Sequence, residues 1–418
     1  MAQQANPLAT SVEDTGSGAV ASGGGSVDIA ALVARSGDLK SELVEFVTGP
    51  KFSKPLTTKL REAAEEHGCL DDGSATLVID HFALQHRSPD GRTPVERFVA
   101  ERRPRLPDEE RAMLLGWSDV VQGSFEVRRL DGDAVVLHNL MDDLEYRVYS
   151  NMGRGPFEGL DAGMFLVGRI VLVHPEVDSW LVSGSFAAYP AESAPEFAQA
   201  ALQALTESPG LMGRNADKLR RSWELQAEAR ADFVDFFGSD LVVLPPVEAQ
   251  ESLREYHRRR LEKIPPAGVA GASIAGIPGA SSPGPEELSQ FPEELLAADS
   301  VAVLYDEVEG LGYYEDFGRL DELFANPSLA RDRERLALLR GYLGDDTVSP
   351  AVIRRLVERH PEGVDEVFRA LLRKPGFRWE RDGDALLRTH KRDFFHADPM
   401  PTVTVVGDRL LELLRSGE

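Results

Sequence analysis

His390, Asp393, His396 and Asp398 fall within nine residues, and imidazole and carboxylate are common ligands of a catalytic divalent metal. His390 and Asp393 are three apart, so one helical face would present both. His390 and His396 are six apart and do not share that face, and Arg388, Lys391 and Arg392 put positive charge among the ligands. A polar helix end stapled by Phe394 and Phe395 is the plainer expectation. The reading is therefore a structural segment with no metal, and a metal-dependent hydrolase or nuclease is carried as the alternative.

The preceding run, residues 369–392, holds eight basic and three acidic residues with Phe377 and Trp379 among them. Aromatic rings inside a basic run can stack on bases while cations meet phosphates. Arg373, Lys374, Arg378, Trp379, Arg381, Arg388, Lys391 and Arg392 would carry that contact. The competing expectation is a solvated face that offsets acids elsewhere in the chain. A nucleic-acid-associated accessory protein is the second alternative.

Other patterns are slighter. The acids and tyrosines of residues 305–316, around Gly310 and Gly312, could line a cleft holding a cation or an acid/base pair, or form a capped turn. Gly153-Arg154-Gly155 could cradle an anion or simply turn the chain. His81 and His86 are five apart, which is not a same-face spacing, so no metal pair is expected there. Gly16-Ser17-Gly18 lacks the preceding strand of a dinucleotide fingerprint, and Gly271-Ala272-Ser273-Ile274-Ala275 lacks the strand and helix of a nucleophile elbow. Cys69 is the chain's one cysteine, which forbids an internal disulfide and reads as a small buried hydrophobe. No cofactor is expected.

The 418 residues suffice for two or three domains. A net charge of −24 disfavours nucleic acid or an anionic membrane as the main partner. The first residues lack the basic and apolar regions of a secretory leader, and no window approaches the apolar length of a membrane span, so a cytoplasmic location is expected.

Residues 118–188 are dense in strand signals. Five runs rich in Val, Ile, Phe and Tyr are expected as strands at 120–128, 134–138, 144–149, 164–173 and 180–186. Asp131-Gly132-Asp133 supplies a tight turn between the first two, and His174-Pro175 breaks the last hairpin. Closing such a sheet removes its edges, so a small antiparallel barrel of SH3-like or OB-like type is expected, with Trp180, Phe125 and Phe165 in its core.

Phe125-Glu126-Val127, residues 143–146, 163–171 and 180–184, flanked by residues 91–98 and Leu115-Gly116-Trp117, resemble a small β-barrel of uncharacterised bacterial proteins, some of them relatives of SEC-C-motif-containing proteins. The resemblance covers about a quarter of the chain and implies a fold, not a reaction. The SEC-C motif needs a cysteine cluster that this chain lacks, so no zinc role carries over.

Elsewhere the period is helical. Thr93-Pro94-Val95-Glu96 is a capping box, Gly49-Pro50 a stop, and Ser349-Pro350 a start. A stripe through Leu219, Trp223 and Phe233 marks a long helix, and Tyr256-His257-Arg258-Arg259-Arg260 a solvated basic helix end. The fold expected is α+β and mainly helical. Its parts are a disordered tail (1–26), a helical region (27–117), the five-stranded barrel (118–188), helices packing with it (189–264), a flexible linker (265–287) and a C-terminal helical domain (288–418). The function expected is a non-enzymatic interaction or scaffold protein with a protein partner.

Overall fold

A computed structural model describes residues 27–68, 70–263, 285–396 and 398–416. The expected tail, Gly16-Ser17-Gly18, Cys69, linker residues 265–284 and Gly271-Ala272-Ser273-Ile274-Ala275 lie outside them.

The first layer is α1 (Ile29–Thr48), α2 (Ser53–His67), α3 (Asp72–Gln85), α4 (Pro94–Glu101) and α5 (Asp108–Gly116). Asp28 caps α1 by accepting from the Ala31 N–H, and Leu32, Leu39, Leu43 and Val47 recur at helical spacing on its buried face. The capping box forms as expected: Thr93 Oγ1 accepts from the Glu96 N–H, and the Glu96 carboxylate accepts from the Thr93 N–H.

Five strands follow: β1 (Val120–Asp131), β2 (Ala134–Asn139), β3 (Glu145–Tyr149), β4 (Phe165–His174) and β5 (Val177–Tyr189). Pairing runs β1-β2-β3-β5-β4 and returns from β4 to β1, so the mixed sheet closes on itself. The expectation of a wholly antiparallel sheet is corrected at one seam. β3 and β5 run parallel and share two pairs, Val148 with Trp180 and Tyr149 with Leu181. Parity explains it: strand direction cannot alternate all the way round a ring of five, so one neighbouring pair must be parallel.

Inside the ring, the Tyr146 ring stands edge-on to Phe125 at 6.3 Å and to Trp180 at 5.0 Å. Trp180 is buried there with Phe125, as expected, but Phe165 is not beside it. Phe165 points outward and stacks on Phe197 of α6 (Ala194–Glu207) at 4.9 Å.

The rest of the chain builds a second sheet among helices. α7 (Ala216–Phe237), β6 (Leu241–Leu244) and α8 (Pro246–Lys263) are followed by α9 (Pro285–Leu288), α10 (Glu293–Leu296), β7 (Val301–Asp306) and β8 (Gly310–Glu315). Then come α11 (Phe317–Ala325), α12 (Arg333–Gly344), α13 (Pro350–Arg359), α14 (Val364–Leu372), α15 (Trp379–His390), α16 (Arg392–His396) and α17 (Asp408–Ser416). β6, β7 and β8 pair antiparallel in that order, so the C-terminal unit is not purely helical; residues 305–316 hold the end of β7, a turn capped by Asp306, whose Oδ1 accepts from the Val308 and Glu309 N–H groups, and β8. Packing crosses residue 288 in several places, among them the pairing of β6 with β7 and the packing of α17 on α6. Arg409 of α17 grips the buried Glu126 of β1 with two bonds of 2.7 and 2.6 Å.

The buried line on α7 is Ser222, Gln226, Ala229 and Phe233 rather than Leu219, Trp223 and Phe233. Gln226 donates to the Glu307 and Val308 carbonyls and accepts from the Thr402 N–H and hydroxyl, so a polar side chain holds the core position. Among the described residues, no helix is long and apolar enough to cross a membrane.

Candidate binding site

α3 lies across the outside of the closed sheet, and its contact there is ionic. Asp80, 2% exposed, is the polar residue in an otherwise apolar buried set of Phe82, Ala83 and Leu84. Its Oδ2 sits 2.9 Å from Arg169 Nη1 of β4, and its Oδ1 accepts from Ser183 Oγ of β5 at 2.8 Å. Lys40 of α1 pairs with the same carboxylate and donates to Ser183 Oγ at 3.0 Å. Arg169 Nη2 donates to Gln85 Oε1 at 2.6 Å. Arg169 and Ser183 are register partners on adjacent strands, which places both under one helix residue. Burial lowers the Arg169 pKa while the Asp80 charge opposes the shift.

A cleft opens on each side of α3. The first, about 590 Å³, lies between α2, α3 and strands β1, β4 and β5. Its polar wall is Lys59, Glu62, His81, His86, Gln122 and Arg169. The second, about 570 Å³, lies between α1, α3, β5 and the loop after β3, with Ser150, Asn151, Met152 and Pro156 on its far side. Ser185 and Phe186 line both clefts. Phe186 folds over the strand beside it because β5 bulges: Val167 pairs with Ala187 and Arg169 with Ser183, leaving residues 184–186 opposite Gly168. Gly184 takes φ +77°, and a Cβ at Gly168 would stand 2.1 Å from the Phe186 ring, so both positions need glycine. Met152 and Val167 are exposed apolar residues at the two mouths.

Partial burial is the main cause that lowers the His81 pKa, and the Arg169 charge adds to it; burial likewise lowers that of His86. The His86 ring stacks on Phe82 at 4.5 Å. Both imidazoles therefore line the first cleft as neutral groups at pH 7, able to donate or accept. Their spacing argued against a metal pair, and their common cleft arises because a wide opening accepts side chains from more than one helical face.

The other sequence candidates do not assemble. His390 ends α15, Asp393 and His396 lie on the separate α16, and Asp398 follows; all four are exposed. Among the described residues, no group of three or more His, Cys, Asp or Glu is placed to hold a metal ion. In the basic run, Lys391 is buried and its ammonium bonds the Asp345 carbonyl, so it is withheld from any ligand. Phe377 is core and not offered to a base, while Trp379 is half-buried and stacks on Phe368 at 4.8 Å. Arg381 pairs with Asp382, and Arg388 with Asp384. Arg373, Lys374, Arg378 and Arg392 are exposed. Arg154 sits on an exposed turn before a single 3-10 turn at Gly155–Phe157.

Asp80 was invisible as a site residue because a lone Asp in a helix reads as surface. The available signal was its place among consecutive apolar residues of α3. Comparison with protein-family models, with curated proteins and with solved structures finds no match for this chain.

Proposed function

We propose that this chain is a non-enzymatic interaction protein that holds an extended segment of another protein along β5. The observation that carries the reading is the unpaired edge of that strand. β5 pairs with β3 only at Trp180 and Leu181, so on that side residues 182–189 have no strand partner among the described residues. An open strand edge recruits a further strand through main-chain bonds, while pockets beside it select alternate side chains. The 570 Å³ cleft beside Val182, Gly184 and Phe186 supplies such a pocket, with the exposed Met152 at its mouth. The chain's net charge of −24 favours a partner whose apolar segment has basic flanks.

The same proposal makes the closed sheet a small barrel of OB-like rather than SH3-like type. Its support is the strand order with the parallel β3/β5 seam. The resemblance to the barrel of SEC-C-motif-containing proteins concerns the same residues and adds no reaction.

A photo-crosslinking residue in place of Met152 tests the reading in lysate. The expected result is a dominant protein adduct that disappears when Ser185→Pro removes a main-chain N–H from that part of β5, with circular dichroism unchanged. The same adduct from a crosslinker at the distant exposed Val247, or full capture by the Ser185→Pro variant, would overturn it.

A further inference from the structure

A third cleft, about 320 Å³, lies between the outer strand β8 and the C-terminal turn of α12, remote in sequence from the β5 face. Tyr313 and Tyr314 of β8, Tyr342 of α12 and Leu338 line it, with Glu315 and Asp345 at its rim; among the described residues, none that line it is Lys or Arg. Tyr314 and Tyr342 have ring centroids 6.5 Å apart. The Tyr342 hydroxyl donates to the Glu315 carbonyl, which ties the helix to the strand edge. The Glu315 carboxylate is exposed and has no hydrogen-bond or ion-pair partner among the described residues. Asp345 Oδ1 accepts from the Thr347 N–H and hydroxyl.

We propose that this cleft binds a substituted ammonium ion, with Tyr314 and Tyr342 beside its alkyl groups and Glu315 and Asp345 beside its charge; Tyr313, next to Tyr314 on β8, faces the other side of the sheet and packs on Phe291. Aromatic faces attract cations through the ring quadrupole, and substituted ammonium ions gain most because they shed water cheaply. The C-terminal, negative end of the α12 dipole lies on the same side of the cleft. Two carboxylates fall short of the six or more oxygens a calcium ion takes, so an organic cation fits better than a hard metal. Burial raises the pKa of all three tyrosines, so the rings stay neutral phenols at physiological pH.

Calorimetric titration of the full chain with choline, and with 3,3-dimethylbutan-1-ol as its uncharged isostere, tests this at constant ionic strength. Choline is expected to bind one to one, with the isostere weaker by about tenfold or more. Tyr314→Leu should weaken choline by about tenfold and Glu315→Gln by roughly threefold, while Tyr342→Phe keeps the ring and most of the affinity. If Tyr314→Leu fails to fold, the isostere and the exposed Glu315→Gln decide. Equal affinity for choline and isostere, no choline binding, or a Glu315→Gln affinity equal to that of the unsubstituted chain would overturn the proposal.

Discussion

Asp80→Ala should be among the most damaging single substitutions in the N-terminal half. The single carboxylate pairs with two cations, and their situations differ. The Lys40 side chain is 20% exposed and can swing toward water once released. The Arg169 side chain is 4% exposed, lies under α3 and would keep only the Gln85 bond, leaving a buried guanidinium without a counter-ion. Breaking a buried pair on one side costs about 3–5 kcal/mol, because the stranded charge bears its full desolvation cost. At roughly 2–4 °C per kcal/mol for a unit of this size, the thermal midpoint should fall by roughly 6–20 °C. Asp80→Leu combined with Arg169→Met removes the buried pair, leaves the partly exposed Lys40 free to reach water, and should recover most of that loss, since apolar replacement of a buried pair is close to neutral. Thermal and urea unfolding followed by tryptophan fluorescence read this locally, because Lys40 lies 5.3 Å from the Trp117 ring. A loss below about 1 kcal/mol for Asp80→Ala, or a double variant no better than the single, would refute the claim that the α3–sheet contact is held by this network.

The Glu126–Arg409 clamp predicts acid sensitivity. Burial works against the Glu126 charge, but the bonds and charge of Arg409, with Arg128, outweigh it and hold the carboxyl below the usual glutamate value of 4.5. A depressed folded-state pKa means that its stabilisation is fully present above the unfolded value and is lost as pH falls below 4.5 through the folded value. Glu126→Gln should cost about 1.5–3 kcal/mol at pH 7 and flatten the midpoint-versus-pH curve in that window; a wild-type curve would contradict the assignment. Trp180→Ala empties the centre of the closed sheet and should lower stability by about 3–5 kcal/mol in denaturant titration; an unchanged midpoint would move Trp180 out of the core. Purified protein should carry no stoichiometric zinc, because His390, Asp393, His396 and Asp398 are exposed and split between two helices. Elemental analysis finding one ion per chain, lost in His390→Ala, would restore the hydrolase reading.

Local chemistry made much of the fold legible. The alternation of Val, Phe and Tyr with turn residues marked all five strands of the closed sheet, since side-chain direction repeats every two residues and Gly132 meets the positive φ its turn requires. The Thr93–Glu96 box and Ser349-Pro350 marked helix starts because capping is settled within one turn. The parallel seam was also implicit in the count of five strands, once closure was expected. What lay beyond reach depended on partners distant in the chain. Phe165 has the same pattern as Phe125, and only the arrival of α6 decided that it faces outward. Gln226 and Lys391 read as surface because burial of a polar group is permitted only by acceptors and donors that other segments bring: the Glu307 carbonyl for one, the Asp345 carbonyl for the other. Asp80 meets Arg169 across 89 residues of chain, a meeting that exists only because β4 and β5 set Arg169 beside Ser183 and α3 crosses above them. The clefts beside Phe186 follow from that crossing. No periodicity encodes the space left when a helix rests on a sheet through a charged contact; the tertiary packing alone decides it.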